Sequence, residues 1–196
     1  MEDAVAEFDP LTMPSSEKRG EMSLEEFLRR DWDEMGDSLK YEWRDGFVEA
    51  GEENMNPKDL KILRSVIDRF GETKHHRDEG ARIYPEMEIR SAAIKFYRKA
   101  DLAAYTKEQI DNADQFTVPK FVIEIISTYD NAIHHEKKIQ EYFESGVEAY
   151  WQILPDVSLV RIYHDWKTGT GCSGADICSA APAFPDFEIT ANEIFG

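Results

Sequence analysis

The run Phe121-Val-Ile-Glu-Ile-Ile-Ser127 constrains this chain more than any other stretch, because it sets one carboxylate, Glu124, inside an otherwise apolar, β-branched segment. Bounded by Pro119 and by Thr128-Tyr-Asp-Asn131, the run predicts a strand packed on both faces within a helix-covered sheet. A carboxylate in such a strand is costly unless something pairs with it. Downstream, Lys137-Lys138-Ile-Gln-Glu-Tyr-Phe143 reads as a helix that returns to the sheet and ends at Gly146. Upstream, Asp101 opens the apolar run Leu102-Ala-Ala-Tyr105. Two acids entering neighbouring strands, with a lysine on the following helix, are expected to form one charged cluster for which the rest of the chain is scaffold.

Composition limits what that cluster can serve. The chain has 196 residues and a formal net charge of -17, and reads as a cytoplasmic protein with an ordinary core. No apolar run is long enough to span a bilayer, and the N-terminus lacks the basic and apolar regions of a signal peptide. Cys172 and Cys178 fit reduced thiols better than a zinc site, a local disulfide being the alternative. The charge is uneven: residues 58–107 carry 12 basic against 8 acidic side chains, while both flanks are strongly acidic. A polyanion would be repelled at long range, so DNA binding would depend on the basic middle segment.

Along the chain, residues 1–21 read as a flexible acidic arm and 22–196 as a single α+β (α/β) domain on a mixed sheet. Ser23-Leu-Glu-Glu26 fits a capping box for a helix ending near Gly36. Tyr41 to Glu49 alternates around Asp45-Gly46, which predicts a hairpin. Asn56-Pro57 opens a helix with Leu60, Leu63, Ile67 and Phe70 on its inner face. Residues 73–82 read as a loop. Strands follow over 84–89 and 94–105, with a break near Lys99-Ala100, and then a helical turn over 107–112. Residues 149–154 and 158–163 form a second hairpin, Gly169, Gly171 and Gly174 a flexible connection, and the C-terminus a short strand and a capped turn.

Asp101, Glu124 and Lys138 have the chemistry of a site for a hard divalent cation, Mg²⁺ or Mn²⁺. Carboxylate oxygens would hold the ion and the lysine would act on the attacking water or on the transition-state charge. The same residues also fit a structural ion pair that fixes the helix on the sheet. Tyr41-Glu-Trp-Arg-Asp-Gly46, Lys99-Ala-Asp-Leu-Ala103, Phe121 to Ser127, and Lys138 followed by Tyr142, Gly146-Val147 and Tyr150-Trp151 together resemble the Uma-type family of restriction-endonuclease-like proteins. The resemblance covers residues 22–196. It implies a restriction-endonuclease-like mixed sheet with flanking helices and a PD-(D/E)xK-type endonuclease that hydrolyses DNA phosphodiesters. By that likeness Asp101 and Glu124 are the metal ligands, Lys138 is a helix-borne catalytic lysine, and Glu42 of the first hairpin assists. The lysine of the ordinary motif sits two residues after the glutamate, where this chain has Ile126, which leaves Lys138 to supply the charge.

Lys95, Arg98 and Lys99, just before Asp101, are the candidate phosphate contacts. The pairs His75-His76 and His134-His135 cannot converge on a metal from adjacent positions and read as surface residues, although His134, near a helix start, could touch substrate phosphate. Trp43, Tyr142, Tyr150 and Trp151 read as core rather than as a base-stacking platform. The alternative to an enzyme is a restriction-endonuclease-like fold that has lost its chemistry and acts as a binding module, as a homodimer through its hairpins.

Overall fold

The computed structural model describes residues 19–32, 39–52, 56–126 and 132–196. The elements are β1 (Arg19–Glu21), α1 (Leu24–Arg29), β2 (Leu39–Arg44), β3 (Phe47–Glu52), α2 (Pro57–Phe70), α3 (Lys74–Arg77), β4 (Arg82–Ser91), β5 (Phe96–Tyr105) and α4 (Lys107–Asp111). They continue with β6 (Phe121–Ile125), α5 (Ala132–Ser145), β7 (Ala149–Leu154), β8 (Leu159–Tyr163), β9 (Gly169–Cys172), β10 (Ile177–Ala180), β11 (Phe184–Thr190) and α6 (Ala191–Phe195). Among the described residues nine strands form one mixed sheet in the order β1-β3-β2-β5-β6-β7-β8-β9, with β4 also on β5; β10 and β11 form a separate ribbon. β6 and β7 pair in parallel and are joined through α5, as a parallel connection requires. Among the described residues no helix is long and apolar enough to cross a membrane.

Local chemistry accounts for most of these elements. Asp45 and Gly46 both have positive φ, 47° and 92°, the geometry of the tight turn that suits the twist of β2 and β3. Ser23 with Glu26 and Asn56 with Asp59 form the capping boxes that open α1 and α2. α1 ends at Arg29, short of Gly36, which lies outside the described residues. The inner face of α2 is set by Ile62, Leu63, Val66 and Phe70, whereas Leu60 is exposed; the buried stripe is rotated by about one position from the expected one. The expected loop at 73–82 contains α3, capped by Thr73. Residues 1–18 of the expected arm lie outside the described residues, and Arg19–Glu21 pair with β3 as a strand.

Two cores lie on opposite faces of the sheet. One is built from α2, α6 and the β10-β11 ribbon against Leu102, Ala104, Phe121, Ile123 and Trp151. The other packs α5, through Ile139 and Tyr142, on Phe96, Ala100, Ala103, Val122 and Tyr150. A third cluster holds Phe27, Tyr41, Trp43 and Tyr97 around the first hairpin. The four aromatics expected as core are core. The glycines at 169 and 171 belong to strand β9, paired with β8, rather than to a flexible connection. A Cβ at Gly169 would stand 2.7 Å from the Tyr163 ring, so the bare backbone lets that ring lie across the edge strand.

β5 is the hinge of the architecture. One edge pairs with β4 along its length, while the other pairs with β2 through Tyr97 and Phe96 and with β6 through Leu102, Ala103 and Ala104. Phe96 and Ala100 face the α5 core, as do Ala103 and Tyr105, whereas Leu102 and Ala104 face the other. The alternation therefore slips one residue at Asp101, opposite Glu86, whose φ is 51°. The expected break at Lys99-Ala100 is this change of face inside one continuous strand. It sets Asp101 in the fork between β2 and β6.

Candidate active site and metal centre

Asp101 is held from both sides of the fork. Its Oδ2 accepts the backbone N–H of Ile125 in β6 at 2.7 Å, and its Oδ1 accepts the ammonium of Lys40 in β2 at 3.2 Å. Glu124, one residue before Ile125, shares the α5-facing side of β6 with Val122. It is 3% exposed and accepts a 2.8 Å hydrogen bond from the Tyr142 hydroxyl of α5. Burial pushes the Glu124 carboxyl above its usual range. The Lys138 and Lys40 ammoniums offset this only in part, and Asp101 and Glu42 add to it.

Lys138 projects from α5 onto Glu42 of β2, with Nζ 3.0 Å from Oε1 and 2.9 Å from Oε2. Burial alone would raise the Glu42 carboxyl, but Lys138, Arg98 and Lys40 together hold it below the usual carboxylate range. Oε1 of Glu42 also accepts the backbone N–H of Lys99 at 3.2 Å. Behind this pair lies Arg98, fully enclosed. Its guanidinium donates to Glu42 at 3.0 Å, to Glu49, and to Glu141 at 3.0 and 2.8 Å; Arg44 closes on the other oxygen of Glu141.

The structure thus brings Asp101, Glu124, Glu42 and Lys138 into one buried charged cluster. Arg98, expected as a phosphate contact, lies on the inward face of β5 between Phe96 and Ala100, fully buried with its donors on three carboxylates. Lys95 is exposed in the β4-β5 turn, and the Lys99 ammonium lies 3.3 Å from Glu86. The His75 ring contacts the Asp186 carboxylate of β11 through Nδ1, which ties α3 to that strand and keeps His75 out of the cluster. The His134 side chain lies outside the described residues.

Sequence reasoning missed Lys40, Arg44, Glu49 and Glu141. Lys40, Glu42 and Arg44 are alternate residues of β2 on one face, and Glu141 follows Lys138 by three, the spacing of one helix face. Those periods were the available signal. An alternating charged stripe reads as a solvated face until the partner strand is known.

The donor chemistry fits a hard divalent cation. Asp101 and Glu124 offer carboxylate oxygens alone, the ligand type that Mg²⁺ and Mn²⁺ take, and the surroundings penalise a bare Glu124 charge. Among the described residues there is no group of three His, Cys, Asp or Glu placed to hold a metal by themselves; a cation here would keep water or substrate oxygens.

A search of curated proteins finds no match. The crystal structure at 1.96 Å resolution of a "putative nuclease belonging to DUF820" from Anabaena variabilis is similar in fold. Its TM-score is 0.75 at 18% sequence identity, over 89% of this chain and 97% of that one. The fold is accordingly the restriction-endonuclease-like mixed sheet with flanking helices. A family profile, Uma2, matches residues 24–192, a span that includes every member of the cluster. The chain belongs to the Uma2 family, whose description reads "Putative restriction endonuclease".

Proposed function

We propose that the protein is a divalent-metal-dependent endonuclease of the PD-(D/E)xK type acting on DNA, with Asp101 and Glu124 as metal ligands. The observation that carries this reading is Asp101 of β5 bonded to the backbone amide next to Glu124 of β6, with Lys40 on Asp101 and Lys138 within electrostatic range of Glu124. Family membership supports the reaction class and DNA as substrate. A bound Mg²⁺ or Mn²⁺ supplies Lewis-acid polarisation of a phosphate oxygen and acidifies water.

The chain's own residues do the rest. The Ile125 amide fixes the Asp101 carboxylate and the Tyr142 hydroxyl fixes Glu124, so both ligands are oriented before a cation arrives. Glu42 holds the Lys138 ammonium in one place, where it can stabilise charge developing on the phosphate or orient the attacking water. Lys95 and, in exchange for its Glu86 partner, Lys99 would contact flanking phosphates.

Thermal melting with and without millimolar Mn²⁺ tests the metal centre directly. A ligand present at a hundred times its Kd stabilises the folded state by about 2.7 kcal/mol, so the wild type should melt several degrees higher with Mn²⁺. Glu124→Gln and Asp101→Asn should lose that increment while keeping the wild-type far-UV spectrum. A wild type indifferent to Mn²⁺ and Mg²⁺ would replace this reading by a binding module, with Lys40 and Lys138 as permanent counter-ions.

A further inference from the structure

The two lysines of the cluster are held very differently. Lys138 bonds both oxygens of Glu42, itself clamped by Arg98 and the Lys99 amide, and so acts as a fixed strut. Among the described residues Lys40 makes one ion pair, to the Asp101 oxygen that the Ile125 amide does not take. It also lies within electrostatic range of Glu124 and Glu42. A cation that binds Asp101 and Glu124 must therefore compete with the Lys40 ammonium. Gly51 faces Lys40 across the β2-β3 pair, and among the described residues a Cβ built there would meet nothing within 4 Å, which leaves the side chain space beside that strand.

Charge balance says where Lys40 would be useful after that move. Counted with Glu124 ionised, the state in which it would bind a cation, the described cluster contains five carboxylates, Glu42, Glu49, Asp101, Glu124 and Glu141, against the four cations Lys40, Arg44, Arg98 and Lys138, a formal charge of one negative. A divalent ion turns this into one positive, and one phosphodiester, with its single negative charge, restores neutrality. The flexible four-carbon stem and three donors of a lysine suit a group that exchanges a carboxylate for a phosphate.

We propose that Lys40 is the internal counter-cation of Asp101 and that, when a divalent ion takes its place, it becomes a second catalytic lysine, beside Lys138, that binds the scissile phosphodiester. The inference rests on the metal-dependent nuclease reading. It assigns Lys40 two opposite effects, competition with metal and support of substrate, which a purely structural ion pair would not combine.

Calorimetric titration with Mn²⁺ alone and DNA nicking at saturating Mn²⁺, on wild type, Lys40→Met and Lys40→Arg, test it. Lys40→Met should bind Mn²⁺ at least tenfold more tightly than wild type and yet lose at least a hundredfold in kcat. Lys40→Arg should bring Mn²⁺ affinity back toward the wild-type value. Lys40→Gln serves if the methionine variant fails to fold, as judged by near-UV circular dichroism, and carries the same expectations. Wild-type Mn²⁺ binding with no gain in the neutral variants overturns the role of Lys40 and leaves the metal centre standing. No Mn²⁺ binding by any of them removes both.

Discussion

Glu124 concentrates the account in one residue. Its carboxyl is raised by burial, so in the pH range above about 4.5 the folded protein holds a proton that the unfolded chain has released, and stability falls as pH rises toward the raised value. Glu42 has the opposite sign. Its depressed carboxyl contributes stability that is present above about 4.5 and is lost as pH falls below that. Urea melts without divalent ions should therefore show wild-type stability passing through a maximum. Glu124→Gln, which keeps an oxygen for the Tyr142 hydroxyl, should flatten the alkaline limb and melt no lower than wild type at pH 7; a large loss of stability in that variant would contradict the cost assigned to the buried charge. This residue was legible in the sequence because a carboxylate in a strand buried on both faces needs a reason to be there. Lys40 was not legible. Its importance depends on the fork that brings β2 alongside Asp101, a contact between residues 61 positions apart.

At the scale of elements, Arg98 joins the sheet to its helix. The guanidinium of β5 reaches carboxylates on β2, β3 and α5 at once, and so holds α5 where Lys138 meets Glu42. Removing it would take a buried cationic partner from three buried carboxylates. Arg98→Met should cost about 3–5 kcal/mol, read by urea denaturation, and a loss below 1 kcal/mol would mean that the cage contributes little. Asn56→Ala, which removes the side chain that caps α2 on two backbone amides, should cost about 1 kcal/mol. The capping residues, the Asp-Gly turn and the apolar periods made these elements readable because each is set by chemistry within a few residues. The slip of alternation at Asp101 and the strand made by Gly169–Cys172 are set by distant neighbours, β4 opposite Asp101 and the Tyr163 ring over Gly169. Local pattern alone reads the first as a break and the second as a loop.

For the whole molecule, a charge of -17 opposes the approach of any polyanion, so under the proposed nuclease reading contact with DNA would depend on the cation centre and a few lysines. With two phosphate contacts, from Lys95 and Lys99, raising salt from 50 to 200 mM should lower the apparent DNA affinity about tenfold; a salt response of several thousandfold would point to a basic surface that this reading lacks. The central claim is that Asp101 and Glu124 form a working metal centre, and the most direct measurement is nicking of supercoiled plasmid at low salt with Mn²⁺, wild type beside Glu124→Gln. Mn²⁺ is the better probe because it tolerates imperfect carboxylate geometry more readily than Mg²⁺. The account predicts relaxed and linear plasmid with the wild type, none with the variant, and none with either when the metal is chelated. Equal cleavage by wild type and Glu124→Gln, or no cleavage by the wild type at any Mn²⁺ concentration, would contradict it.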